Sequence, residues 1–112
     1  MDLIRIADAL DAELVHGPDD WETINIETVF ASDLMSDVLM SERDEMLLVT
    51  SLSTEQSIRS AGIVGSEAVV VANNKTVTEG MIELAKDQDL ALFRARFSKY
   101  DLCVRLGRLL EP

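Results

Sequence analysis

The chain has 112 residues, a formal net charge of −11, and 47% hydrophobic but only 4% aromatic residues. That length holds one domain, spanning residues 1–112, and a core so poor in rings must be filled by Leu, Ile, Val, Ala and Met. So acidic a balance excludes nucleic acid as the main partner, because phosphate binding is driven by cationic neutralisation.

Cys103 stands alone, so no disulfide can form within the chain, which suits a reducing compartment. The opening residues, Met1 to Arg5, lack the basic and apolar regions of a signal peptide, and no stretch approaches the ~18 apolar residues of a membrane span. The expectation is a cytoplasmic protein without membrane attachment. The charge is unevenly placed. Residues 1–56 carry 14 acidic and 2 basic side chains, whereas residues 57–112 carry 7 acidic and 8 basic. The bland reading is a solubilising surface; the sharper one is a polar molecule whose C-terminal half meets an anion or an acidic partner.

Along the chain, Leu3, Ile6, Ala7 and Leu10 fall at helical spacing behind Asp2, a candidate N-cap. A short strand over Ala12–Val15 follows, then a turn over His16–Asp20 built on Gly17 and Pro18. Ile24, Ile26, Thr28 and Phe30 alternate with Asn25, Glu27 and Val29, the pattern of a half-buried strand. Ser32–Met40 reads as a helix with acidic residues in its first turn, and Ser41–Glu45 as a charged connector. Met46–Thr50 is a continuous apolar run, as expected of a central strand covered on both faces. Ser53-Thr54-Glu55-Gln56 has capping-box form and opens a helix ending near Gly62 or Gly65. Ala68–Ala72 is a second apolar strand, closed by Asn73 and Asn74, which tolerate left-handed turn geometry. Thr76 or Thr78 caps a helix carrying Met81, Ile82, Leu84 and Ala85, and Leu90–Phe93 forms a last short strand. Ser98 begins a final helix whose Leu102, Val104, Leu106, Leu109 and Leu110 spread over more than one stripe. Strands alternating with helices predict a three-layer α/β/α sandwich with a mainly parallel central sheet, the N-terminal helix and strands forming an added edge.

The segment Phe30-Ala31-Ser32-Asp33-Leu34-Met35-Ser36-Asp37-Val38-Leu39-Met40 resembles the DRTGG domain family. Small single-domain members, often encoded beside iron-only hydrogenase genes, carry a similar SDLLSDVM stretch after a strand. The likeness continues through Leu48–Thr54 and the Leu90–Leu110 strand and helix, and so covers most of the chain. It implies an α/β regulatory domain with a link to hydrogenase-associated redox metabolism. The family is also similar to the N-terminal domain of HPr kinase, but this chain has no G-x-x-x-x-G-K-[ST] loop for phosphoryl transfer. It departs from the family's name motif as well. Positions that often read Gly-Asp-Arg hold Ser51-Leu52-Ser53, and the Thr-Gly-Gly region reads Ala72-Asn73-Asn74.

Catalysis finds little support. His16 is the only histidine and falls in a turn, and Cys103 falls on the apolar side of the last helix, where packing is its expected role. Asp33 and Asp37 are four apart on the expected Ser32–Met40 helix; a solvated or capping role is the bland reading, a metal or acid/base pair the sharp one. Asp19, Asp20 and Glu22 lack the alternating spacing of a calcium loop. No metal or cofactor is expected.

Three candidate sites stand out. Thr50, Ser51, Ser53 and Thr54 follow a central strand and lead into a helix, where open α/β sheets bind ligands and helix N–H groups favour anions; Asn73 and Asn74 follow the neighbouring strand. Arg94 and Arg96, two apart on an extended segment, point the same way and form a candidate anion clamp. Leu34, Met35, Val38 and Leu39 make the Ser32–Met40 helix more apolar than a short helix needs, which suggests a contact between subunits. The sequence thus supports a non-catalytic regulatory or accessory domain acting through homodimerisation or a protein partner. The alternative is a sensor of a small anionic metabolite or nucleotide.

Overall fold

Every residue of Met46–Thr50 (β3) and Ala68–Val71 (β4) is buried, and the two strands lie side by side and parallel, with Leu48 opposite Val69 and Val49 opposite Val70. The computed structural model describes residues 1–111. Three further strands complete the sheet: Glu13–His16 (β1), Thr28–Ala31 (β2) and Ala91–Arg94 (β5). The order is β1-β5-β4-β3-β2, with β2 to β5 parallel and β1 antiparallel to β5.

The pleat sends alternate side chains to opposite faces, and each face has its own core. On one, Leu47, Val49, Val70 and Phe93 meet Leu3–Leu10 (α1) and Lys99–Leu110 (α5) through Leu3, Ile6, Leu10, Leu102 and Leu106. Trp21 closes this core edge-on to Phe93, ring centres 5.5 Å apart. On the other, Leu48, Val69, Val71 and Leu92 meet Met35–Leu39 (α2), Glu55–Ile63 (α3) and Glu79–Asp87 (α4). The fold is therefore a three-layer α/β/α sandwich with a mainly parallel sheet, as the alternation of strands and helices predicts. The helices after β2, β3 and β4 share one face, and the helix after β5 crosses to the other.

The element boundaries carry several corrections. The N-terminal strands do not form a common added edge: β1 ends one side of the sheet and β2 the other. The strand expected over Ile24–Phe30 is cut to Thr28–Ala31, because Ile24 and Ile26 spend their backbone groups on the N-terminus instead. Leu3 N–H donates to the Ile24 carbonyl at 2.8 Å, and Ile26 N–H to the Met1 carbonyl at 2.9 Å. The residues before them form a 3-10 turn, Trp21–Thr23. The helix expected from Ser32 starts at Met35, because the Ser32 hydroxyl accepts the Leu34 N–H at 3.0 Å and holds a turn there. The capping box at Ser53 is not made. Thr54 occupies the N-cap position without a side-chain cap bond, and the Ser57 hydroxyl donates to the Thr54 carbonyl instead. Asp2 likewise holds the N-cap position of α1 without a side-chain bond, whereas Thr78 and Ser98 do cap α4 and α5. After α3 the chain reverses at Gly65, whose φ of 72° suits a residue without a Cβ.

The double burial of β4 makes a direct test. Val70 is 1% exposed, and an unpaired carboxylate there costs several kcal/mol against a total stability of about 5–15 kcal/mol. Val70→Asp is expected to abolish the cooperative thermal transition followed by circular dichroism. A soluble variant that still melts cooperatively would contradict the placement of this strand.

Candidate functional site

All four parallel strands end on the same edge of the sheet, so the loops 32–34, 51–54, 72–78 and 95–98 gather there. The residue that organises them is Asp33. Because the Ser32 turn delays the helix, Asp33 is not on a shared helix face with Asp37; its carboxylate crosses to the end of β3. There it accepts the Thr50 hydroxyl at 3.0 Å, the Ser51 backbone N–H at 2.6 Å and the Ser51 hydroxyl at 2.5 Å. Lys99, in the first turn of α5, donates to the same carboxylate at 2.7 Å. Burial alone would raise the Asp33 carboxyl; the Lys99 ammonium and the donors of Ser51 and Thr50 outweigh it and hold the group well below the usual carboxylate range.

The neighbouring candidates are engaged with one another as well. The Thr50 hydroxyl also accepts the Leu52 N–H at 3.1 Å, and the Ser53 hydroxyl donates to the Thr76 carbonyl at 2.6 Å. Lys75 donates to the Ser51 carbonyl. Asn73 and Asn74 are both left-handed, with φ of 67° and 53°, and their N–H groups close onto the Phe97 and Ala95 carbonyls at 2.8 Å. An anion at the Ser51 N–H would meet a position already filled by the protein's own carboxylate.

Arg94 and Arg96 do not form a clamp, since each has its own partners. Arg94 donates to the Asn74 carbonyl and side-chain oxygen at 3.2 and 3.0 Å and stands 3.8 Å from Glu13. Arg96 pairs with Asp11 at 3.0 Å and lies over the Phe97 ring, as does Arg105. Arg105 in turn donates to the Ala9 carbonyl, so two guanidinium groups tie the end of α1 to the α5 layer.

The contact residues expected on α2 divide by burial. Met35 and Val38 point into the core at 5% and 0% exposure and are corrected to packing residues; Leu34, Leu39 and Met40 stand 58%, 45% and 81% exposed. A five-residue helix has one face to bury, and its alternate positions must then face solvent. Cys103 is half-buried, and burial pushes its thiol up, with Lys99 opposing more weakly. Among the described residues no three His, Cys, Asp or Glu side chains gather as a metal set would. No helix is long and apolar enough to cross a membrane.

The sequence reading missed Asp33 as an organiser, and with it Lys75 and Lys99. A usable signal existed: a Ser-Asp pair directly after a strand sits at the carboxyl edge of a parallel sheet, where loop N–H groups need acceptors.

No protein-family model and no curated protein matches the sequence. Among solved structures, the chain is similar to the CBS and DRTGG domains of the regulatory region of a Clostridium perfringens pyrophosphatase, crystallised with its activator diadenosine tetraphosphate. The TM-score is 0.79 at 13% sequence identity, over 94% of this chain and 45% of the other. The fold is DRTGG-like. This chain spans less than half of the DRTGG-containing chain it matches.

Asp33 titration follows from this geometry. A carboxyl lowered in the native state adds stability that is complete above the ordinary Asp pKa of ~3.9 and is lost as pH falls below it. At neutral pH Asp33→Asn is expected to cost about 1 kcal/mol, a modest figure because the side chain is 41% exposed. Urea unfolding across the acid range should show the gap between wild type and variant narrowing as pH drops. A gap independent of pH would mean that the carboxylate does not carry these bonds.

Proposed function

We propose that this chain is a single DRTGG-like regulatory or accessory domain that acts through protein contact rather than catalysis. The observation that carries the reading is the placing of Leu34, Leu39 and Met40. These apolar side chains stand exposed on α2 and at its two ends, while most polar groups of the carboxyl-edge loops are satisfied by one another. Several large apolar side chains exposed on one short element suit a contact surface, and two-fold association is the commonest kind. A cytoplasmic setting is suggested by the lone Cys103 and the want of signal-peptide pattern, and a link to hydrogenase-associated redox metabolism by the sequence resemblance alone.

Two chains of charge −11 repel, so such a homodimer should tighten as salt screens the repulsion. Sedimentation velocity at micromolar concentration is expected to show a dimer that strengthens from low to moderate salt. Leu34→Asp with Leu39→Asp should return it to the monomer. A single species at the monomer mass of 12.4 kDa in both buffers would exclude self-association through this face.

A second reading, a sensor of an anionic metabolite or nucleotide, is favoured by one observation. The Nε of Arg94 is buried without a partner beside Asn74, at the carboxyl edge where parallel sheets take ligands. ATP serves as the probe for both readings. The contact reading expects no hydrolysis and no saturable amide shifts at residues 50–54, 73–75 and 94 in nuclear magnetic resonance spectra. Saturable shifts there would establish the sensor. Turnover that disappears on Ser51→Ala or Ser53→Ala would overturn the non-catalytic assignment.

A further inference from the structure

No strand among the described residues pairs with the outer edge of β2. Such an edge carries unused N–H and C=O groups, and proteins generally cover or blunt it. Here the edge is flanked by a hollow on each face of the sheet. On the α1–α5 face, a hollow of about 340 Å³ is lined by Val29, Leu106 and Leu110 together with Glu27 and Glu111. On the opposite face, a hollow of about 480 Å³ lies between Phe30 and Met40, with Asp37 and Glu42 on its wall. Arg43 lines both, its guanidinium carbon 5.6 Å from the centre of the Phe30 ring.

Apart from Arg43, the charge around this edge is negative. Glu27, Asp37, Glu42, Asp44 and Glu45 lie on or beside β2, α2 and the connector between α2 and β3, and none forms a salt bridge among the described residues. Arg43 is the only Lys or Arg between Arg5 and Arg59.

The geometry points to β2 as the docking edge for an extended segment of a partner protein whose side chains alternate apolar and basic. Successive side chains of a strand face opposite ways, so a strand added to β2 would place every second side chain over Val29, Leu106 and Leu110. The intervening side chains would meet Asp37 and Glu42. Four residues of edge give a contact of only ~13 Å, so the ladder fixes register and the hollows choose the partner. A second copy of this chain is the poorer occupant of the edge, because pairing β2 with β2 would bring Glu27, the residue before that strand, towards the same carboxylates. This inference rests on the reading of the β2–α2 end as a contact face and adds to it the strand edge, separate from the Leu34 and Leu39 side chains of the proposed dimer.

The test is calorimetric titration of the full chain with a synthetic peptide that alternates valine and lysine over about eight residues. Saturable binding is expected, weakening as salt rises. The same peptide N-methylated on every second amide should bind at least about tenfold more weakly, since it cannot complete the ladder. A valine–glutamate peptide should not bind. In the protein, Glu42→Lys should weaken binding at least about tenfold, and this exposed change leaves the core intact. Absence of saturable binding, or binding indifferent to N-methylation and to Glu42→Lys, would overturn the proposal. The two contacts are told apart by salt: self-association tightens with it and peptide binding weakens. A dimer without peptide binding therefore removes this inference alone, and peptide binding by a salt-independent monomer removes the homodimer alone.

Discussion

Leu47 and Leu48 are neighbours in the chain, the pleat sends them to opposite faces of the sheet, and both are fully buried. A sheet with such a strand at its centre cannot leave either face to water, because each buried Leu or Val side chain contributes about 1.5–3 kcal/mol that exposure would forfeit. The rest of the architecture answers that requirement. Three helices following β2, β3 and β4 cover one face, and α1 and α5 cover the other. The antiparallel β1 lies beside β5, and β2, with no further strand among the described residues, ends the sheet.

Covering both faces sends consecutive loops in different directions from the carboxyl edge, and something must hold the two helical layers in register there. Asp33 does so. It leaves the end of β2, satisfies the first N–H after β3 and pairs with a lysine on the helix of the opposite layer. The position that open α/β sheets offer to an external anion is thereby occupied from within. Lys75 and the two left-handed asparagines close the remaining gaps with backbone partners. Most polar groups of this loop edge are spent on one another, the buried Nε of Arg94 excepted, while the β2 end keeps exposed apolar and acidic side chains.

Among the described residues, that end combines a strand edge with no paired strand, apolar side chains that α2 cannot turn inward, and carboxylates without ion-pair partners. Shortness and a mainly negative charge discourage identical edges from pairing, two of the ways native proteins keep open edges from aggregating. In the proposed docking the same features favour a partner of opposite charge.

Much of the fold was legible in the sequence, because it depends on local patterns. The unbroken apolar runs Met46–Thr50 and Ala68–Ala72 marked doubly buried strands, and Leu3, Ile6 and Leu10 marked one face of a helix. Thr78 and Ser98 marked helix starts through a hydroxyl that accepts an N–H three residues on. The candidate sites were less legible. Periodicity placed Ser32 and Asp33 in a helix, whereas the acceptor needs of Ser51, eighteen residues away, drew Asp33 out of it. Arg94 and Arg96 share a direction along an extended chain, yet Asn74 and Asp11 divided them. By itself the sequence determined the elements, the two-faced burial of the central strands and the excess of acid in the first half. Only the tertiary structure decided which carboxylate meets which cation and which edge stays open. Those outcomes depend on groups far apart in the chain, whose meeting is set by the packing of layers and not by any spacing along it.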